Sequence, residues 1–325
     1  MVAPLMGFPG VELTGTNIKL AQQNVREHYL AIRKLVERFE PDLIFPLMDL
    51  SVEANALGRY TMFPRNESAT IPKDAFDPGE VEQLRSVNIA FDMRLTGYVE
   101  TMKLMRIGLP EWIQRGAYVT GPYSLAALIM GADDAAVASV VDTEILHTLC
   151  ELTVEKVHEY IHLLIAAGAQ VICILEPSAV MLGPDQFELF SADYVRDIVN
   201  SFKFNPVSFI YHTCGNTNHL IEKMYASGVD ALSLDSQEAG VDLPEIVRRV
   251  PEDIVVMGNI SPSTTMLSSN VRDVEHEVTD LLRRMEPYPN FILSTGCDLP
   301  QETPMQNIQA FMDTARRYRV KSEVA

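Results

Sequence analysis

The chain has 325 residues, room for two small domains or one large α/β barrel. Its 47% hydrophobic and 22% charged content is that of an ordinary globular protein with a sizeable core. A formal net charge of −18 argues against nucleic acid or an anionic membrane as partner, and leaves a solvated acidic surface or a docking face for a basic patch.

The opening residues 1–10 lack the basic start and continuous apolar core of a secretory signal, and no apolar run approaches the roughly 20 residues of a membrane span. Four scattered cysteines, Cys150, Cys173, Cys214 and Cys297, do not make a disulfide framework. A cytoplasmic protein with reduced thiols is the expectation. Residues 1–40 read as a tail plus a leading helix over 18–39, and residues 41–325 as a single barrel domain.

Along the chain, apolar runs alternate with helical patterns. Strands are predicted at 42–48, 117–120, 171–175, 208–212, 231–234, 254–257 and 291–293, with a weak eighth between about 59 and 95. The runs are continuously apolar rather than alternating, as suits parallel strands covered on both faces. A count near eight predicts a (β/α)8 TIM barrel with an N-terminal helical extension. Its functional groups should stand at the C-terminal ends of the strands.

The polar residues just after the predicted strands are Asp49, Gly121, Glu176, His212 with Cys214, Asp235, Asn259, and Cys297 with Asp298. His212 and Cys214 are two apart at one strand end, so imidazole and thiol face the same way. Cys297 closes the run Phe291-Ile292-Leu293 at a second strand end. Two thiolates and an imidazole are a zinc donor set, and three strong ligands leave a position for substrate. Glu176, directly after its strand and before Pro177, is the candidate fourth ligand, which would give the zinc site a net charge of about −1.

A competing motif, His158-Glu159-Tyr160-Ile161-His162, matches the helical H-E-x-x-H of metalloproteases. It falls between two predicted strands on a segment whose apolar stripe, Val154, Val157, Ile161 and Leu164, would pack it outside the sheet. His147, Cys150 and Cys173 read as packing residues, and His219 as solvated. Ser261 and Pro262 read as the cap and first residue of a helix. Tyr123, Asp49 and Asn259 are candidate substrate-binding residues by strand-end position, and Asp235 and Glu176 candidate catalytic ones.

Three segments resemble the uroporphyrinogen decarboxylase superfamily. Gly121-Pro122-Tyr123-Ser124-Leu125-Ala126 looks like its segment after the third strand, Met257-Gly258-Asn259-Ile260-Ser261-Pro262 its G-N-[LI]-[DS]-P turn, and Thr303-Pro304-Met305-Gln306-Asn307-Ile308 its T-P-x-x-N-[IV] closing helix. The chain departs from the decarboxylases proper. It has no arginine before Arg26, where they carry R-Q-A-G-R-Y, and it has Gly296-Cys297-Asp298 where they carry G-H-G. H-x-C with a distant G-C-D is similar instead to the zinc-dependent, corrinoid-linked methyltransferases of the same superfamily.

That resemblance implies Zn2+ on His212, Cys214 and Cys297, with Glu176 beside them, and a methyl group moving between a small substrate and the cobalt of a cobalamin. No D-x-H-x-x-G corrinoid signature is found, so the cobalamin is expected on a separate corrinoid protein docking over the mouth. The expected substrate is a methoxylated aromatic that is demethylated. The alternatives are methylcobamide:thiol (coenzyme M) methyl transfer and uroporphyrinogen decarboxylation.

Overall fold

A computed structural model describes residues 1–324; Ala325, the last residue of the expected 41–325 domain, lies outside the described residues. Seven parallel strands form one curled sheet in sequence order: β1 (Leu43–Ile44), β2 (Gln114–Thr120), β3 (Val171–Leu175), β4 (Ser208–Thr213), β5 (Ala231–Leu234), β6 (Val255–Ile260) and β7 (Phe291–Thr295). Each coincides with one of the seven apolar runs. Helices cover the outside, giving a TIM-barrel-like α/β fold.

Side-chain alternation sorts the strands into two cores. Leu43, Phe45, Tyr118, Cys173, Leu175, Ile210, Ala231 and Met257 form the inner cluster. Their neighbours Ile44, Val119, Ile172, Ile174, Phe209, Tyr211, Leu232 and Val256 join the larger cluster between sheet and helices. The period of two therefore assigns every residue at a strand end to the inside or the outside of the curl.

Two expectations are corrected here. Residues 59–95 hold no strand: they contain short helices at Pro78–Glu80, Val81–Ser86 and Ile89–Phe91, the start of the helix Met93–Gly108, and an isolated antiparallel bridge between Met62 and Thr70. Pro64, Pro72 and Pro78 interrupt any apolar run there, and proline cannot donate to a ladder. The opening residues, expected as a tail, instead bridge the sheet's two edges. Val2 pairs in parallel with Leu293 of β7, Ala3 N–H donates to Leu293 O (2.9 Å), and Asp42 N–H donates to Val2 O (3.0 Å) beside β1. Ala3 and Leu5, two apart, supply inward side chains like any strand of the curl.

The leading helix divides at Asn24 into Ile18–Gln23 and Val25–Phe39. Asn24 ends the first and caps the second, its Oδ1 accepting from Arg26 N (3.0 Å) and Glu27 N (3.1 Å). Among the described residues no single helix is long and apolar enough to cross a membrane. A pair that passes the same test, Pro122–Met130 with Ala132–Val141, is bent by 109°.

Candidate metal centre

Residues Ile210, His212 and Cys214 share the inner parity of β4, so the imidazole and thiol project over the inner core at the C-terminal mouth. Two devices fix them. Ser233 of β5 is in register with His212, and its Oγ lies 3.0 Å from Nδ1. With the hydroxyl accepting from Nδ1–H, the Nε2 lone pair is left facing the cysteines, as a metal-ligating histidine requires. Beyond the strand, Gly215 turns the chain at φ +84°, a conformation that favours glycine, and its N–H donates to Asp235 Oδ2 (2.7 Å). Asp235 thus holds the turn that carries Cys214, and Asp235 Oδ1 also accepts from Ser236 N (2.6 Å).

Cys297 arrives from the far edge of the sheet. A Cβ on Gly296 would sit 2.6 Å from Ser236 N and 3.0 Å from Asp235 C. Only a glycine allows this approach of the β7 end to the loop after β5, and the approach brings the two thiols together.

The result is a compact donor cluster. Cys214 Sγ is 3.4 Å from His212 Nε2 and 3.6 Å from Cys297 Sγ, and Cys297 Sγ is 3.8 Å from His212 Nε2. Tetrahedral zinc, with bonds of about 2.3 Å to sulfur and 2.05 Å to nitrogen, would separate the sulfurs by about 3.8 Å and each sulfur from nitrogen by about 3.6 Å. The spacing and the soft donor set therefore fit such an ion. Among the described residues this is the group of three or more candidate ligands whose donor atoms all lie within 4.8 Å of one another. His212 is buried, whereas Cys214 and Cys297 are half-buried, so the cluster opens toward the mouth. The Cys297 thiol is held well above its ordinary pKa, first by its hydrogen bond with Cys214 and then by burial, with His212 opposing.

Glu176 stands elsewhere. On β3 the odd residues Val171, Cys173 and Leu175 face inward and the even ones outward, so Glu176 continues the outer face. Its carboxylate accepts from Tyr123 N (3.1 Å) and Ser124 N (2.8 Å), at the start of the helix Pro122–Met130. A carboxylate there satisfies free helix N–H groups and meets the positive end of the helix dipole. Burial pushes its pKa up to about 7. It is fully buried and is not among the converging donors.

The remaining predicted residues are mostly tied into the scaffold. The Asp49 carboxylate pairs with Arg94 and accepts from Tyr98 Oη (2.8 Å) and Ser51 Oγ (2.6 Å). Tyr123 is buried, with burial raising its pKa further. Asn259 Nδ2 donates to Asp235 O (2.8 Å) and Val241 O (2.9 Å), and the residue lines a cavity of about 450 Å3 beside the helix Val271–Met285. Ser261 caps its helical segment as expected, its Oγ accepting from Thr264 N (3.2 Å).

His158 and His162 lie on the outer helix Thr143–Ala167, both rings packed at a tilt against Phe202 with centroids 4.7 Å away. Glu159 pairs with Lys156 at 3.2 Å.

Sequence reasoning missed Ser233, Tyr118 and Arg94. Ser233 carried a faint signal, a lone hydroxyl inside the apolar run Ala231-Leu232-Ser233-Leu234, but its partner depends on a register that no local pattern reveals. Asp298 stands out in the sequence by its strand-end position and its place in the G-C-D motif, without an assigned role. Here it accepts from Gly7 N through Oδ1 (3.1 Å), Oδ2 is buried without a partner, and burial raises its pKa to about 7.

Known proteins share this fold and sequence pattern. A uroporphyrinogen decarboxylase of Prochlorococcus marinus (strain MIT 9312) is 23% identical over 287 residues, covering 86% of this chain and 80% of that protein. Its counterpart in Synechococcus sp. (strain CC9605) is 27% identical over 281 residues, covering 84% and 77%. Among solved structures, a methyltransferase from Methanosarcina mazei superposes with a TM-score of 0.89 at 19% identity, covering 98% of this chain and 94% of that one. A B12-independent methionine synthase from Shewanella sp. W3-18-1 gives 0.60 at 13% identity, covering 91% and 90%. At such identities the structural likeness is one of fold. The family model for uroporphyrinogen decarboxylase (URO-D) matches residues 14–318, and the chain belongs to that family.

Proposed function

We propose that the protein is a zinc-dependent methyltransferase. In this reading His212, Cys214 and Cys297 hold one Zn2+, and a methyl group passes between a small substrate and the cobalt of a corrinoid carried by a separate protein. The convergence of two thiols and one imidazole at the mouth carries the reading. When bound, the zinc would act as a Lewis acid, lowering the pKa of a ligated thiol or polarising an ether oxygen.

The chain's own residues account for the rest. Ser233 holds the His212 ring through Nδ1, and Asp235 fixes the turn that presents Cys214. With Glu176 committed to the helix terminus, two thiolates and a neutral imidazole would leave the site near zero net charge rather than −1. That makes it more attractive to an incoming thiolate or ether oxygen than a site with a carboxylate in the set. The half-buried thiols leave a fourth position open to the mouth. Demethylation of a methoxylated aromatic is the direction we favour, and methyl transfer to a thiol such as coenzyme M is its converse.

A second reading, uroporphyrinogen decarboxylation, is favoured by the names of the sequence relatives. Metal analysis by mass spectrometry separates the two. About one zinc per chain, lost in Cys297→Ser and retained in His158→Ala, supports the methyltransferase reading. Cobalamin-dependent demethylation of a methoxyarene should then be detectable by the corrinoid absorbance. Metal-free wild-type protein that releases CO2 from uroporphyrinogen would overturn it.

A further inference from the structure

Among the buried polar atoms without protein partners are the Tyr118 hydroxyl and Asp298 Oδ2. Tyr118 lies on β2 in the inner cluster, its ring stacked on Phe45 with centroids 4.5 Å apart and planes 16° off parallel. Its register partner is Cys173, which pairs in turn with Ile210, one inward position below His212. The Tyr118 hydroxyl is buried and makes no hydrogen bond. Asp298, next to Cys297, is anchored through Oδ1 to Gly7 N, while its Oδ2 is likewise buried without a partner. Burial pushes the Tyr118 hydroxyl well above its ordinary pKa, with Asp298, Cys173 and Cys297 adding to the shift.

Buried polar groups are nearly always paired, and exceptions gather where a ligand completes the set. A phenol can donate and a carboxylate oxygen can accept, so together they suit a group that does both, such as a hydroxyl. The inward-facing positions of the seven strands include no lysine or arginine; Arg115, the one cationic strand residue, lies on the outer parity and donates to Gly168 O. An anionic sulfonate or carboxylate would find no strand-borne cation there.

We infer that Tyr118 and Asp298 form a polar anchor beside the metal donors that selects a neutral, hydroxyl-bearing ether or thiol over an anionic one. This rests on the zinc reading and narrows its substrate class.

Cobalt(II) substitution tests it without turnover, because thiolate binding to Co2+ is read directly in the absorption spectrum. The probes are 2-mercaptoethanol, ethanethiol and 2-mercaptoethanesulfonate. The wild type should bind 2-mercaptoethanol about 10-fold tighter than ethanethiol, with the sulfonate weakest. Tyr118→Phe should bring the first two within about 3-fold while keeping cobalt stoichiometry and the folded spectrum, since only one unpaired oxygen is removed. Equal affinity of the wild type for 2-mercaptoethanol and ethanethiol would overturn the anchor alone and leave the two groups to internal water. Tightest binding of the sulfonate would also overturn it. Failure to take up cobalt would overturn the metal reading, and the anchor with it.

Discussion

The ends of β3 and β4 are adjacent, and each carries a polar residue at the level of the mouth, yet the two side chains do unrelated things. Leu175 pairs with His212 in the sheet, and Glu176 N–H donates to His212 O (2.8 Å). His212 falls on the inner parity and joins the thiols. Glu176, one residue past Leu175, falls on the outer parity and caps a helix. Position at a strand end therefore does not suffice to place a residue in a barrel site; the alternation inherited from the strand decides which core it enters.

That contrast is sharpest in Cys297→Ser. The substitution should lower zinc affinity by at least about 100-fold, measured by competition with a chromophoric chelator, with thermal unfolding of the metal-free protein little changed. Glu176→Ala should do the reverse. It leaves the buried Tyr123 and Ser124 N–H groups without acceptors, so denaturant unfolding should show a loss of about 2–4 kcal/mol with zinc stoichiometry intact. Zinc lost with Glu176 and stability intact would break the comparison.

A pH series probes the outer position further. Burial holds Glu176 near 7 against an ordinary 4.5, so the folded state keeps a proton that the unfolded chain has released. The sign follows from linkage: this contribution is fully present below about pH 4 and is lost as pH rises toward 7. In denaturant unfolding of the metal-free protein this group should contribute a fall of about 3 kcal/mol across that window. In Glu176→Gln the fall should be shallower. Glu53, buried with Thr120 as its partner, and Asp298 are raised to about 7 in the same way, whereas His28, lowered by burial to about 3, contributes with the opposite sign across the same window.

Ser233→Ala tests the support of the inner position. Removing the acceptor for His212 Nδ1–H should weaken zinc binding about 10-fold, and Ser233→Thr should recover most of it. His158→Ala should change neither zinc stoichiometry nor affinity, because its ring packs against Phe202 outside the sheet.

Much of this organisation was legible beforehand. All seven strands follow from continuous apolar runs, and the H-x-C spacing on a strand places His212 and Cys214 on one face without any knowledge of the fold. Cys297 was recognisable from its equivalent place at another strand end. The surroundings were not legible. Val2 and Ala3 are too short a stretch to read as a strand, and the gap between β7 and β1 that they bridge exists only once the sheet has curled. Ser233 meets His212 through a register set by the whole sheet, and the rotation of Glu176 to the outer face requires knowing which residues of β3 fill the inner core.

Local chemistry thus specified the strands, the donor residues and the shared direction of His212 and Cys214, because periodicity and side-chain type act over a few residues. Long-range packing specified which donors meet. Cys214 and Cys297 are 83 residues apart, and their sulfurs lie 3.6 Å from each other only because the closing sheet and the bare Cα of Gly296 let the two strand ends approach.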